Sequence, residues 1–388
     1  MHIRGSSCLI IAILLAACTP NSRPHNADDD STGDATSMPD AHVPGVCGDG
    51  VVDYPETCDP PASCPTSCPT MTCMISQAAG LAATCNLECG FTEITICFGG
   101  DHCCPAGCTA STDPDCSGVR VDHAYEEQYT LADLGAVPGV PTRLGGIAVK
   151  AGDPSKLIVG GTANQLSGAF YEIGIVRDDQ GHITGFSGTA TRVFDGGYND
   201  GGVLYGPEGV LFYARWPVNE LGQIKPGSMV TDKVIDVDAL GVGYSVAGAA
   251  FTPAGTSAPG TLKLMSWSSG LWHTVTLVPD GTGTFDVGTV TRMPTPLIGG
   301  PEGMVYVPDG SPLFPHMSIL VSEFSTGVVS TYEVDANGDP ILSTRKLFVI
   351  NLNGAEGATI DPTSGDFLFS TFGGGDRIIV VHGFAPIG

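Results

Sequence analysis

The chain has 388 residues, and its 41 acidic and 16 basic side chains give a formal net charge of −25. The few basic residues are scattered singly, which argues against nucleic acid and against anionic lipid headgroups as partners. The excess of acid is compatible with a soluble surface, with a cationic ligand or with a divalent metal. A chain of this length accommodates two or three domains, and its composition changes sharply along its length.

The N-terminus has the layout of an exported chain. Arg4 precedes an apolar run that ends at Leu15, and two alanines separate this run from Cys18. This layout is typical of a secretory signal, and Leu15-Ala16-Ala17-Cys18 resembles the lipobox of bacterial lipoproteins. The resemblance implies that residues 1–17 are removed and that Cys18 is acylated. An ordinary signal peptide is the alternative.

The resemblance also implies an address in the cell envelope. Thr19 follows the cysteine, whereas an Asp at this position resembles the inner-membrane retention signal of lipoproteins. Its absence favours the outer membrane or the cell surface. Residues 18–46 carry hardly any apolar side chains and are expected to form a flexible stalk. No run of about 18 apolar residues follows Cys18, so the lipid is the expected membrane anchor.

Residues 47–118 are predicted to form a small disulfide-rich module. An even number of cysteines in a short segment of an exported chain indicates a disulfide framework of six bridges. The twelve cysteines are Cys47, Cys58, Cys64, Cys68, Cys73, Cys85, Cys89, Cys97, Cys103, Cys104, Cys108 and Cys116. Spacing leaves their pairing open, although adjacent Cys103 and Cys104 should each pair elsewhere. Zinc at Cys85 with Cys89, or at Cys104 with Cys108, is the competing interpretation.

Two strings in this module resemble the cysteine-rich repeats of myxobacterial surface proteins. They are Cys47-Gly48-Asp49-Gly50-Val51-Val52-Asp53 near the start and Cys103-Cys104-Pro105-Ala106-Gly107-Cys108 near the end. The resemblance implies an extracellular spacer or adhesion module without catalysis. The acidic residues of the first string are candidate calcium ligands, although turns of this type also form without metal.

Residues 119–388 are predicted to be an all-β domain. Short apolar runs such as Lys156-Leu157-Ile158-Val159 and Ile378-Ile379-Val380-Val381 are rich in strand formers and bounded by turn residues. Nothing in this region has a long helical period. Many of the 54 glycines of the chain fall in such turns.

A repeated string favours a β-propeller over a two-sheet β-sandwich, which is the alternative. Gly206-Pro207-Glu208-Gly209 returns as Gly300-Pro301-Glu302-Gly303 and as Gly354-Ala355-Glu356-Gly357, with degenerate copies around Gly146 and Gly248. The period of about fifty residues fits one four-stranded blade. Five or six blades are expected, and the segment beginning at Tyr129 is predicted to supply the last outer strand.

The repeated carboxylates are the candidate site. If each copy opens the innermost strand of a blade, Glu208, Glu302 and Glu356 converge at one end of the central channel, where Ca²⁺ or Mg²⁺ is the expected ion. Alternatively, each carboxylate accepts backbone N–H groups and locks the ring. The acidic, glycine-rich segment from Asp195 to Asp200 is interpreted as a plain connection, with a place at the same channel end as the alternative.

The Glu-Gly strings and the blade rhythm resemble the propellers of the gluconolactonase and NHL groups. The resemblance implies a metal-dependent hydrolase acting at the channel mouth, as the alternative to a non-enzymatic module that binds a protein, a glycan or an ion. We favour the binding module, and no catalytic residue is predicted. No serine-hydrolase elbow, zinc-protease helix or phosphate loop occurs. The distant histidines are interpreted as surface or strand residues, namely His182, His273, His316 and His382.

Overall fold

The computed structural model describes residues 46–387 except for 51, 53–55, 65–67, 69–73, 102, 104–111, 113–117, 123 and 295. The predicted lipobox, Cys18 and nearly all of the stalk lie outside the described residues, as do Cys73, Cys104, Cys108 and Cys116. Within the described part of the chain, no helix has the length and apolar character needed to cross a membrane.

The N-terminal module contains one β-hairpin held by disulfides. Strands β1 (Met74–Ala79) and β2 (Glu88–Glu93) pair antiparallel. Two short 3₁₀ turns, Pro61–Ser63 and Ala82–Thr84, flank the first strand in sequence. The described bridges with both partners placed are Cys47–Cys85, Cys58–Cys64 and Cys68–Cys89. Cys97 and Cys103 are also disulfide-bonded.

These bridges confirm the disulfide framework for the described cysteines. They also overturn the zinc interpretation for one pair, because Cys85 and Cys89 belong to two different disulfides. A sulfur bonded in a disulfide has no thiolate to offer a metal. The other candidate zinc pair, Cys104 with Cys108, lies outside the described residues.

The described residues from 119 onward form five antiparallel sheets arranged as the blades of a propeller. Blade 1 consists of β5 (Ile147–Val149), β6 (Lys156–Gly161), β7 (Ala169–Arg177) and β8 (Ile183–Asp195). Blade 2 consists of β9 (Asn199–Tyr205), β10 (Leu211–Arg215), β11 (Glu220–Ile224) and β12 (Lys233–Asp236). Blade 3 consists of β13 (Val246–Phe251), β14 (Leu262–Ser266), β15 (Trp272–Pro279) and β16 (Phe285–Arg292).

The last two blades each take a strand from the start of the domain. Blade 4 consists of β17 (Pro301–Tyr306), β18 (Ser318–Glu323), β19 (Val328–Glu333), β20 (Lys346–Ile350) and the short outer β3 (Arg120–Val121). Blade 5 consists of β21 (Ala355–Ile360), β22 (Phe367–Thr371), β23 (Arg377–His382) and β4 (Thr130–Ala136). The structure thus gives five blades and confirms the propeller over the sandwich.

Strand β4 closes the ring, as the sequence predicted. The last three strands of the chain lack a fourth partner of their own, and β4 pairs antiparallel with β23 from Thr130 opposite His382 to Ala136 opposite Arg377. An N-terminal strand and a C-terminal hairpin therefore share one sheet. Backbone hydrogen bonds within blade 5 thus join the two ends of the domain.

Five apolar clusters hold the ring, one at each junction between neighbouring blades. Strand β22 shows how the sequence produces them. Phe367 and Phe369 pack toward blade 4, whereas Leu368 packs toward blade 1. Successive side chains of a strand point to opposite faces, and both faces of a blade are covered by its neighbours. The apolar runs of the sequence are therefore continuous and do not alternate with polar residues.

Candidate functional site

Two of the three predicted carboxylates lie together near the propeller axis. Glu302 is the second residue of β17 and Glu356 the second residue of β21, so each stands near the start of an innermost strand. Their side chains are enclosed, with 5% and 2% of the residue surface exposed. The sequence analysis placed both correctly in their blades.

The prediction for Glu208 is wrong, and Asp200 takes its place. Oxygen atoms of Asp200, Glu302 and Glu356 all lie within 4.8 Å of one another. Asp200 is the second residue of β9 and is 2% exposed. The acidic, glycine-rich segment that we interpreted as a plain connection therefore supplies the third carboxylate from its last residue.

The error arises because Glu208 lies beyond the innermost strand of its blade, whereas Glu302 and Glu356 lie near the start of theirs. Glu208 lies in an exposed 3₁₀ turn (Pro207–Gly209) that joins β9 to β10, beyond the end of the innermost strand. Its φ of 57° and the φ of 75° at Gly209 belong to a tight turn. The same Gly-Pro-Glu-Gly sequence thus forms a turn in blade 2 and the start of the innermost strand in blade 4. The true counterpart in blade 2 is Asn199-Asp200-Gly201-Gly202.

A ring of five glycines explains the repetition. Each blade contributes one glycine, within its innermost strand or directly before it, whose backbone faces the next blade: Gly146, Gly202, Gly248, Gly303 and Gly357. A Cβ on Gly303 would lie 2.4 Å from the backbone nitrogen of Ala358, and a Cβ on Gly248 would lie 2.2 Å from the carbonyl oxygen of Glu302. The innermost strands therefore touch backbone to backbone, and any side chain at these positions would separate them.

The electrostatics of the three acids are unfavourable in the absence of a cation. Burial raises the pKa of Asp200 from 3.8 to about 7. Burial, and then the negative charge of Asp200, raise the pKa of Glu302 well above its ordinary value. Burial and the two neighbouring carboxylates do the same to the pKa of Glu356. Three enclosed acids that repel one another must share protons or share a metal ion.

In the alternative interpretation, each carboxylate accepts hydrogen bonds from backbone N–H groups. The hydrogen bonds of these three acids leave some of their oxygens unpaired. Among the described residues, Asp200 Oδ2, Glu302 Oε2 and Glu356 Oε1 are buried without a hydrogen-bond partner. The side-chain amide of Asn164, in the orientation that satisfies its surroundings, donates to Asp200 Oδ1 at 2.9 Å. Buried oxygens are normally paired, so these oxygens are available to a cation or to a proton shared between carboxyl groups.

The donor set fits a hard divalent cation. Ca²⁺ takes oxygen ligands at about 2.3–2.6 Å, so two ligands on opposite sides of one ion stand about 4.6–5.2 Å apart. The spacing of at most 4.8 Å among the three carboxylates falls in this range. Mg²⁺ is compatible as well. Its ligand distances of about 2.0–2.1 Å require the carboxylates to stand slightly closer together.

A cavity of about 750 Å³ lies further along the same inner strands. It is lined by residues that follow the glycine ring, among them Ala148, Val203, Met304 and Ala358, and none of the three acids lines it. Along the inner strands of blades 2, 4 and 5 the order is thus acid, glycine, cavity. The glycine ring separates the acids from the cavity, whose walls are mainly apolar.

Comparisons with known proteins leave the family open. No protein-family model matches the chain, and no curated protein matches it. A gluconolactonase from Xanthomonas campestris has 12% identity over 69% of this chain and 95% of that one, with a TM-score of 0.38. A catalytically inactive virginiamycin B lyase from Staphylococcus aureus has 14% identity over 66% and 99%, with a TM-score of 0.35.

An aldose sugar dehydrogenase from Streptomyces coelicolor, in its PQQ-bound form, has 14% identity over 64% of this chain and 83% of that one, with a TM-score of 0.36. At these TM-scores, the similarity carries no argument about activity. The assignment of a five-bladed propeller rests on the sheets described above.

Proposed function

We propose that the chain is a lipid-anchored protein of the cell envelope whose propeller is a binding module with a divalent cation on its axis. The observation that carries the cation is the enclosed cluster of Asp200, Glu302 and Glu356, each with an oxygen that lacks a hydrogen-bond partner. A divalent cation at this point offsets the repulsion among three acids contributed by blades 2, 4 and 5. Ca²⁺ is the first candidate and Mg²⁺ the second.

Enclosure favours binding over hydrolysis. A metal that activates water or polarises a carbonyl must keep a coordination position open to its substrate. Here the acids are at most 5% exposed, and the glycine ring stands between them and the cavity. The hydrolase alternative therefore requires a substrate to reach an ion whose three carboxylate ligands are almost fully enclosed. The ion's role in this proposal is to join three blades and fix the binding module around its axis.

The test is a metal titration of the purified full-length protein with a matched pair of variants. Elemental analysis after exhaustive dialysis and calorimetric titration with CaCl₂ should give one ion per chain. Glu302→Gln and Glu356→Gln should weaken binding at least tenfold, because each removes one charged ligand. Glu208→Gln is the control, since it changes the same residue type in the same sequence string but in an exposed turn.

Two results would contradict the proposal. One is the absence of a stoichiometric divalent ion from the wild-type protein, and the other is binding by Glu302→Gln that equals binding by Glu208→Gln. Circular dichroism of each variant in EDTA shows whether the sheets remain intact. Turnover of simple esters or lactones that depends on Glu302 would favour the hydrolase instead.

The envelope address is tested separately. Cys18 directly follows Leu15-Ala16-Ala17, and the proposal expects metabolic incorporation of labelled palmitate into the wild-type chain. Cys18→Ser should abolish the label and release the protein from the membrane fraction. Incorporation that persists in Cys18→Ser would refute acylation at this residue.

A further inference from the structure

A second cluster of metal-ligating side chains lies at the junction of the first and last blades. His182, Asp366 and His382 each place one ligand atom within 4.8 Å of the other two. The two histidines are two hundred positions apart in the sequence, and nothing in their spacing indicated that they meet. The interpretation of His182 and His382 as separate surface or strand residues therefore misses their relationship.

Ring closure brings the three residues together. His182 stands in the turn between β7 and β8 of blade 1, directly before β8 begins. Asp366 directly precedes β22, and His382 ends β23, so both belong to blade 5. Phe367 pairs with Val381 in this sheet, which brings the adjacent Asp366 and His382 together. The cluster thus spans the junction between the two ends of the domain.

The contacts at Asp366 are crowded on one oxygen. Nδ1 of His182 lies 2.7 Å from Oδ1 of Asp366, and Nδ1 of His382 lies 3.1 Å from the same oxygen. The two imidazole rings are 4.9 Å apart and nearly perpendicular. Nδ1 of His382 is buried and makes no hydrogen bond of acceptable angle despite this short distance. Two ring nitrogens and one carboxylate oxygen therefore converge on one point, and one of the nitrogens is unsatisfied.

We propose that this cluster binds a borderline divalent cation of the Zn²⁺ type through Nδ1 of His182, Nδ1 of His382 and Oδ1 of Asp366. Neutral imidazole is the preferred nitrogen ligand of such ions, and a carboxylate is a common third ligand. Zn²⁺ holds these atoms at about 2.0–2.2 Å, which places neighbouring ligands of a tetrahedron about 3.4 Å apart. The two nitrogen–oxygen distances of 2.7 and 3.1 Å would each lengthen by less than about 1 Å to admit the ion.

The surroundings of the cluster support a metal. The second oxygen of Asp366 accepts the backbone N–H of Ile183 at 2.7 Å, which fixes the carboxylate with its first oxygen directed at the two imidazoles. The nearby cation Arg177 is already neutralised by a two-pronged pair with Asp361, at 2.6 and 2.8 Å. It therefore does not act as an uncompensated charge against an incoming ion.

The exposure of the three side chains determines how an ion can reach this cluster. Asp366 is fully buried, whereas the side chains of His182 and His382 are 29% and 17% exposed. The ion can thus enter from solvent and take water as its fourth ligand. Because its ligands come from blades 1 and 5, binding would stabilise the junction where the two ends of the domain meet, and no cation is shared with the axial carboxylates.

The two sites differ in the ions they select, which allows each to be tested alone. The axial site offers only oxygen ligands and suits Ca²⁺ or Mg²⁺, whereas imidazole nitrogens favour Zn²⁺ or Co²⁺. The experiment is calorimetric titration of the full-length protein with ZnCl₂ in a buffer that contains excess CaCl₂, together with thermal unfolding at each metal concentration. Co²⁺ serves as a spectroscopic probe, because its visible absorption reports nitrogen ligands and a tetrahedral geometry.

The matched variants are His182→Gln, His382→Gln and the control His316→Gln, which changes an exposed histidine of blade 4 that lies outside the cluster. We expect one Zn²⁺ per wild-type chain, a rise in Tm on binding, and the same behaviour for His316→Gln. His182→Gln and His382→Gln should each weaken Zn²⁺ binding at least thirtyfold and remove the rise in Tm.

Folding is checked by the Tm in EDTA, which should be similar for all three variants because the exchanged side chains are partly exposed. Wild-type protein that binds no stoichiometric Zn²⁺ overturns the proposal. Zn²⁺ binding by either cluster variant that equals binding by His316→Gln overturns it as well. Failure of the axial Ca²⁺ site would leave both of these results unaffected, since excess CaCl₂ is present throughout.

Discussion

The N-terminal module and the propeller are stabilised in opposite ways. In the described part of the module, the buried apolar residues are all half-cystines, namely Cys64, Cys85 and Cys103. Large apolar side chains there, such as Ile96 and Phe98, are exposed. The propeller has no cysteine and is held by five apolar clusters between blades. One region is cross-linked covalently, and the other is packed.

The two regions are therefore sensitive to different changes. A short segment cannot bury enough apolar surface to offset its ordering entropy and needs covalent constraints. The propeller buries ample surface, but its five inner strands must approach closely enough for the ring to close. Its sensitive positions are therefore the glycines on the axis, which have no side chain that could mark them as important in the sequence.

Reduction of the disulfides should produce the largest difference in stability between the two regions. Loss of a native bridge in a small exported domain costs about 2–5 kcal/mol, so loss of several should unfold the module. The propeller should be unaffected. All three tryptophans lie in the propeller, and their fluorescence should report the same unfolding midpoint with and without reductant, while amide exchange in β1 and β2 becomes fast. A lower tryptophan midpoint on reduction would show that the module supports the propeller.

Gly303→Ala should produce the next largest effect, on the propeller alone. The added Cβ would stand 2.4 and 2.5 Å from backbone atoms of blade 5, and backbone cannot move aside as a flexible side chain can. We expect a loss of about 3 kcal/mol or more in the free energy of unfolding, measured by urea denaturation. The control is Gly185→Ala in β8, where the added Cβ would meet nothing within 4 Å.

That control should change the free energy of unfolding by less than about 0.5 kcal/mol. Equal stabilities for Gly303→Ala and Gly185→Ala would mean that the inner strands are not in backbone contact. The amide exchange pattern of the module should be the same in both variants.

The axial acids should give the metal-free propeller an unusual dependence on pH. The pKa of Asp200 is raised from 3.8 to about 7 by burial, and those of Glu302 and Glu356 are also raised. A raised pKa contributes stability that is fully present below about pH 4 and is lost as pH rises through the folded-state value. In EDTA, the tryptophan-reported Tm should therefore fall between about pH 5 and pH 8.

The reference is the triple variant Asp200→Asn, Glu302→Gln, Glu356→Gln, which lacks these charges but keeps all other titrating groups. Relative to it, the wild type should lose on the order of a few kcal/mol over this range, and excess Ca²⁺ should restore the loss. Parallel pH profiles for the two proteins would show that the acids are not enclosed together. The module should contribute nothing to this difference.

Much of the fold was accessible from the sequence because propeller repeats carry a local signal. The period of about fifty residues indicated blades, and the lack of a fourth strand after His382 indicated that a segment near Thr130 closes the ring. The blade number stayed between five and six because loop lengths vary between copies. Strand pairing in the sheets settles it at five.

The site was less accessible, for a physical reason. The glycine after Glu302 and after Glu356 is required at the axis, but this requirement does not specify an acid, since Gly146 and Gly248 have none before them. In blade 2 the equivalent glycine is Gly202, and a carboxylate reaches the same place from Asp200, two positions earlier. The meeting of His182 with His382 depends on ring closure between distant segments, for which a single sequence carries no local signal.

A weaker effect is expected at one of the noncovalent contacts of the module. The carboxylate of Asp59 accepts the backbone N–H groups of Gly48 and Gly50, which belong to the first string, whose acidic residues are candidate calcium ligands. These contacts use the acid without a metal. Asp59→Asn should therefore speed amide exchange at Gly48 and Gly50 and lower the stability of the oxidised module by about 1 kcal/mol, equally with and without Ca²⁺. If added Ca²⁺ protects these amides in the wild type and has no effect in Asp59→Asn, the turn is a calcium site, and the module then depends on an ion as well as on its bridges.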